Sequence, residues 1–220
     1  MKRTPEPEEL MDEADQALAY AEADFSASNE LFVELFAQVQ GNEFKGRMLD
    51  LGCGPADIPL RFARRYPQAR IDALDGAPAM LELAGQAIAN EHLESRIQLH
   101  CQYLPATNLQ REYDAVVSNS LLHHLKDPLD LWRSIGACIL PGGRVLVMDL
   151  LRPESPEQAD ALVAEYAQDA PEVLRRDFHA SLHAAYTLDE IREQLRASGL
   201  AHLETAQVSD RHLAVSGQMP

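Results

Sequence analysis

Positive charge is scarce in this chain: 19 lysines and arginines stand against 35 aspartates and glutamates, a formal net charge of −16. Such an excess repels nucleic acid phosphates and anionic membrane surfaces, so neither is expected as a partner. The basic clusters, Arg61 with Arg64 and Arg65 and then Arg175 with Arg176, are short, and the first reads as a solvated helix face. Cysteine is sparse too. Cys53, Cys101 and Cys138 are odd in number and contain no Cys-x-x-Cys pair, which argues against a disulfide framework or a zinc cage. His179 and His183 share a helix face, but no third ligand accompanies them and no metal is expected. The sequence has no apolar run of about 18 residues that would span a membrane, and Met1 to Glu8 lacks the apolar stretch of a signal peptide. A cytoplasmic protein is expected, as monomer or homodimer.

What is present is an alternation. Of 220 residues, 46% are hydrophobic, enough for one α/β core with an added segment. Helices are expected over 8–22, where Leu10, Met11, Ala14, Ala17 and Leu18 recur at helical spacing, and over 29–40, capped by Ser28 or Asn29. Strand and helix then alternate: strand 48–51, helix 55–66, strand 71–74, helix 78–90, strand 96–99 and strand 115–118. A further helix starts at Asp127-Pro128, with Asp as cap and Pro in the first helical position, and stops at Pro141-Gly142-Gly143 before strand 144–150. Helical, charge-rich sequence fills 152–186. Thr187-x-x-Glu190 is a capping box opening helix 188–198, and strands 203–208 and 212–216 are joined so tightly that they must be antiparallel. The expected fold is α/β: a doubly wound seven-stranded sheet, mostly parallel, with an antiparallel C-terminal hairpin and helices on both faces. Four parts follow: a helical lid over 1–45, a ligand-binding core over 46–150, a helical cap over 151–186, and a closing helix and strand pair over 187–220.

The informative run is Met48-Leu49-Asp50-Leu51-Gly52-Cys53-Gly54-Pro55-Ala56-Asp57. A buried strand turns through two glycines, which let a ligand approach the backbone closely, and enters a helix whose first N–H groups are free. The third glycine of a dinucleotide fingerprint would fall at Asp57. A carboxylate there repels a pyrophosphate and suits a cationic group, which points away from NAD and towards S-adenosylmethionine.

The chain resembles the class I S-adenosylmethionine-dependent methyltransferases. The resemblance rests on Asp50-Leu51-Gly52-Cys53-Gly54, on Asp75 at the end of the second strand, on Ser118-Asn119-Ser120-Leu121-Leu122-His123-His124-Leu125, and on Leu140-Pro141-Gly142-Gly143. It implies a methyl transfer to a small-molecule acceptor with S-adenosyl-L-methionine as donor. In that reading Gly52 and Gly54 meet the methionine part and the ribose, Asp50 or Asp57 engages the ammonium, and Asp75 accepts from both ribose hydroxyls. Gly76 and Met80 line the adenine slot, Gln102 accepts from adenine or Tyr103 stacks on it, and Ser118 and Asn119 lie near the reacting methyl. Cys53 belongs to the loop as a packing residue. His123, His124 and Asp149 are the candidate catalytic groups, with either histidine as base or substrate orienter. Tyr20, Phe25, Arg152, Arg175 and Phe178 are candidates for the acceptor site, although for Arg152 a surface pair with Glu154 is the favoured reading over a clamp on an anionic substrate. The Asn-Pro-Pro-aromatic motif of base-amino methyltransferases is absent. Two alternatives remain: transfer of a different group from an adenosyl ligand, and a non-catalytic regulator that binds the ligand.

Overall fold

Strands rich in β-branched and aliphatic residues assemble the centre of the protein, in a computed structural model that describes residues 1–6, 13–106, 110 and 112–220. Seven strands form one sheet: β1 (Arg47–Leu51), β2 (Arg70–Asp75), β3 (Ile97–Cys101), β4 (Tyr113–Asn119), β5 (Ile139–Leu150), β6 (Glu204–Gln207) and β7 (His212–Gln218). Their order is β3-β2-β1-β4-β5-β7-β6. The first five run parallel, and β7 is antiparallel to both β5 and β6. The order reverses between β1 and β4, which opens a crevice at their carboxyl ends.

Alternation along each strand sends side chains to opposite faces. Met48, Ile71, Ala73, Ala115, Val117 and Leu146 meet the aromatic stripe of α2 (Ser26–Gln40) and α3 (Asp57–Arg65), with α4 (Pro78–Asn90) beside them. There Phe32, Phe36, Phe44, Phe62 and Tyr66 pack mostly edge to face. Leu49, Leu51, Val116, Val145 and Val147 face the other way, onto α5 (Leu129–Cys138) and, in the later chain, α8 (Leu188–Ala197). Trp132 on α5 is fully buried, and its indole N–H donates to Gln194 of α8 at 2.9 Å. A satellite cluster joins α6 (Pro156–Tyr166) to α7 (Glu172–Ala184), and α1 (Ala14–Glu22) packs by Ala17 and Tyr20 against Met80 of α4. Among the described residues no helix is long and apolar enough to cross a membrane.

The expected capping box is formed: Thr187 Oγ1 accepts from Glu190 N–H, and Glu190 Oε2 accepts from Thr187 N–H at 2.8 Å. Thr187→Ala is expected to cost about 1 kcal/mol, read as a lower urea midpoint at unchanged slope. Other boundaries need correction. Helix α2 starts at Ser26 rather than 29, because Asp24 Oδ1 already accepts from Ser26 N–H; Ser28 and Asn29 therefore lie inside it and cap nothing. Helix α5 begins at Leu129, with Asp127 accepting its N–H, and ends at Cys138. Pro141-Gly142-Gly143 does not separate helix from strand but lies within β5, where Gly142 donates to Met219 and Met219 donates back to Gly143. The part of the first expected helix over 8–12, with Leu10 and Met11, lies outside the described residues.

Candidate functional site

The loop after β1 takes its shape from three left-handed residues, Gly52, Gly54 and Ala56 (φ +78°, +51° and +71°). At Gly52 the constraint is double: a Cβ would also come within 2.9 Å of the Leu121 side chain. At Gly54 an added Cβ would meet open space, so this glycine exposes backbone to the crevice. The loop is tied to the neighbouring strand by Gly52 N–H and Cys53 N–H, both donating to Leu74 C=O.

Asp75 ends β2 beside this loop. Its Oδ2 accepts from Gly54 N–H and its Oδ1 from Ala77 N–H, each at 2.8 Å, which fixes the carboxylate and leaves further lone pairs for a ligand. Burial raises its pKa, countered by those N–H groups and by His124. Asp50, one residue from the end of β1, is 1% exposed, and neither carboxylate oxygen has a hydrogen-bond partner. Burial, with the Asp75 charge adding to it, pushes its pKa up to about 8. An unpartnered buried carboxyl is costly and requires a reason. Asp57 is committed instead: its Oδ2 accepts from Asn29 Nδ2 at 2.6 Å and from Arg61 Nε at 2.7 Å.

A cavity opens above the loop and Asp75, lined by Gly52, Cys53, Gly54, Asp57, Asp75, Gly76, Met80, Gln102 and Asn119, all expected ligand contacts, and by Tyr20, Phe25 and His124; the buried Asp50 is not part of that lining. Tyr20 and Phe25 pair with ring centroids 4.7 Å apart. Burial, then the charges of Asp75, Asp57 and Asp149, push the Tyr20 hydroxyl up to about 12. Cys53 is buried, and its thiol is raised well above the ordinary range by that burial, which suits packing rather than nucleophilic attack.

Several expected residues stand elsewhere. Ser118 is fully buried behind the cavity and donates to Leu51 C=O at 2.7 Å, its side chain on the opposite pleat from Asn119. Tyr103 is 60% exposed and does not line the cavity. Arg152 binds Glu190 at 2.8 Å and Ala185 C=O, so neither the clamp nor the surface pair with Glu154 is formed. Arg175 is exposed, away from the cavity lining, and Phe178 packs in the α6–α7 cluster with Val163. His123 and Asp149 lie beneath the cavity as a buried pair, with Nδ1 to Oδ1 2.5 Å, while Asp149 also accepts from the N–H groups of Leu122, His123 and Leu150. Burial opposes charge on both, yet each outweighs that for its partner: the imidazole is held above its usual range and the carboxyl below. This pair shapes the turn that presents His124.

The sequence reading missed four contributors. Asn29 bridges Asp57 and Asn119, its Oδ1 accepting from Asn119 Nδ2 at 3.1 Å. Its position was visible, because Asn29 precedes Phe32, Val33 and Phe36 by three, four and seven residues on one buried stripe of α2. Arg61 is no mere solvated face residue: it lines the cavity and binds Asp57 and Glu30. Leu121 lines the cavity and packs over Gly52. Glu6, which nothing in the sequence marked, sets a carboxylate oxygen against Nδ1 of His124. Glu6, His123 and His124 each offer one ligand-type atom within 4.8 Å of the others. The two rings are tilted against each other (centroids 4.1 Å, 36°), and a carboxylate oxygen already sits at Nδ1 of each, Asp149 for His123 and Glu6 for His124.

Comparison with known proteins agrees with this geometry. A family model described as a methyltransferase domain matches residues 20–205. An uncharacterized methyltransferase of Mycobacterium tuberculosis is 33% identical over 106 residues, covering 48% of this chain and 51% of that protein. A trans-aconitate 2-methyltransferase of the same species is 34% identical over 131 residues, 60% of this chain and 47% of that protein. The chain thus spans about half the length of these curated relatives. In fold it matches the crystal structure of a SAM-dependent methyltransferase from Aquifex aeolicus, with a TM-score of 0.70 at 14% identity over 94% of this chain and 99% of that one.

Proposed function

Because the chain belongs to the class I S-adenosylmethionine-dependent methyltransferases, we propose that it transfers a methyl group from S-adenosylmethionine to a small-molecule acceptor. The observation that carries this reading is the partnerless, buried Asp50 carboxyl beside the fixed carboxylate of Asp75. An unsatisfied acid next to an open glycine loop fits a ligand that brings both a cation and a pair of hydroxyls.

The residues then divide by task. Asp50 supplies the counter-charge for the ammonium, Asp75 accepts from the ribose hydroxyls, and the exposed backbone at Gly54 receives the methionine part. Gly76, Met80 and Gln102 surround the adenine, and Tyr20 with Phe25 excludes water from the side of the N-terminal helices. When bound, S-adenosylmethionine supplies a methyl made electrophilic by the sulfonium that carries it. The chain's own contribution is to orient the acceptor and keep the crevice dry, which accounts for much of the acceleration in such displacements. His124, half-buried on the cavity wall, is the group placed to hold a proton.

The test is calorimetry with S-adenosylhomocysteine, followed by turnover of methyl-labelled donor in a mixture of small metabolites. Micromolar binding with labelled product is expected. Absence of binding overturns the donor site, and tight binding without product in any mixture favours a regulator over an enzyme.

A further inference from the structure

The charge around the cavity constrains what the acceptor is. Among the described lining residues the ionisable groups are Asp24, Asp57, Asp75, Arg61, His124, Tyr20 and the Cys53 thiol. Arg61 carries the permanent positive charge of that set, and its Nε and Nη1 are given to Asp57 and Glu30. Two further arginines, neither of them in the cavity lining, are engaged elsewhere. Arg3 donates to Ala184 C=O and His123 C=O and lies 4.2 Å from the Tyr186 ring centroid, and Arg152 binds Glu190. A carboxylate acceptor entering this cavity would face three aspartates and, among the described lining residues, one arginine that is already paired with Asp57 and Glu30, a poor repayment for its desolvation.

The second observation is the pairing at His124. Residues 3–6 run across the turn Leu122–His124 and α7: Arg3 binds both elements, Thr4 N–H donates to His183 C=O, and Glu6 meets His124 Nδ1 and accepts from Ser181 Oγ at 2.6 Å. A neutral imidazole whose Nδ1–H donates to a carboxylate has its lone pair on Nε2. Glu6 therefore selects the tautomer in which His124 accepts a proton. Burial opposes the charge on Glu6, but His124, then His123 and Ser181, hold its carboxyl below the ordinary range, so it stays an acceptor.

Resting on the methyl-transfer reading above, we propose that the acceptor is an uncharged protic nucleophile, a hydroxyl or a neutral amine, and that Glu6 is the positioning residue that sets His124 to take its proton. The acceptor's oxygen or nitrogen lone pair forms the bond to the methyl carbon. The carbon–sulfur bond breaks with its electron pair left on sulfur, and the acceptor's proton passes to Nε2 of His124. A carboxylate has no proton to give up and gains nothing from this pair. The proposal thus separates this chain from an acceptor such as trans-aconitate, despite the relative of that name.

Two readouts test it. Products formed from methyl-labelled donor in a metabolite mixture are treated with mild alkali, which frees methanol from carboxyl methyl esters and leaves ethers and N-methyl groups intact. Alkali-stable label is expected; label released as volatile methanol overturns the acceptor class. With a product in hand, Glu6→Gln is expected to lower kcat about 10- to 100-fold at little change in donor KM, less than the roughly 10²- to 10⁴-fold that a general base contributes, because His124 itself is still present. Glu6→Asp should recover part of that loss. Ser181→Ala, which removes the other contact of Glu6, should stay near wild type. Adding Glu6→Gln to His124→Gln should cost nothing more, because the two act as one unit. Additive losses, or equal loss in Ser181→Ala and Glu6→Gln, reduce Glu6 to an anchor of the N-terminal segment and overturn its role. Absence of heat with S-adenosylhomocysteine would instead overturn the underlying donor site.

Discussion

Asp50→Asn is expected to do two opposite things: stabilise the free protein at alkaline pH and weaken donor binding about 10- to 100-fold, as loss of a buried charge partner does. The stability effect follows from linkage. The folded-state pKa of Asp50, about 8, stands far above the 3.8 of an unperturbed aspartate. Over that window the folded state holds a proton that the unfolded state has lost, so stability falls as pH rises from about 4 to about 8, by roughly 1.4 kcal/mol per unit. Asparagine cannot ionise, and the decline attributable to this group should vanish. Urea midpoints at pH 5 and pH 8 read the difference: wild type loses ground to Asp50→Asn as pH rises. Parallel pH profiles would show that Asp50 is ionised and paired in the free protein. Binding supplies an independent measure. A cationic donor favours the ionised carboxyl, so at pH 7 its binding should release nearly one proton, seen as a dependence of calorimetric heat on buffer ionisation enthalpy. The release should fade above about pH 9 and be absent in the asparagine variant.

Much of the fold was legible because its signals are local. Alternating apolar runs and helical stripes are properties of a few consecutive residues, and the glycine loop, the Thr187 box and the tight turn before β7 are all short-range devices. Where the reading went astray, partners distant in sequence decided the outcome. Pro141-Gly142-Gly143 has the composition of a turn, yet Met219 exchanges hydrogen bonds with Gly142 and Gly143 and draws the segment into β5. Ser118 and Asn119 are neighbours at the end of a strand; the pleat sends one behind the sheet and one to the cavity, and nothing in their identities says which. The donor half of the site was readable because a glycine loop and an acid one strand over are tied to the order of the sheet. The acceptor half was not. Glu6 meets His124 across 118 positions, and Arg152 is claimed by Glu190 through the same side chain that closes the capping box. Asn29 is the instructive exception, a polar residue on an apolar stripe whose burial was foreseeable and whose partners were not.

Asp75→Ala should weaken donor binding at least tenfold, because in the proposed reading it removes the acceptor of both ribose hydroxyls. Each lost hydrogen bond to a charged acceptor is worth about 1.5–3 kcal/mol, so two would exceed that factor comfortably. The variant also removes the acceptor of Gly54 N–H and Ala77 N–H, two backbone donors that shape the rim of the crevice. Those N–H groups face the cavity and can turn to water, so the cost to stability should be smaller than the cost to binding. Asp75→Asn separates the two contributions. Its amide oxygen can keep one backbone N–H, but its NH₂ cannot accept from the other or from a second hydroxyl. An affinity for S-adenosylhomocysteine between wild type and alanine is therefore expected, with a urea midpoint close to wild type. Equal affinity in all three proteins would remove Asp75 from ligand recognition and leave it as a fastener of the loop.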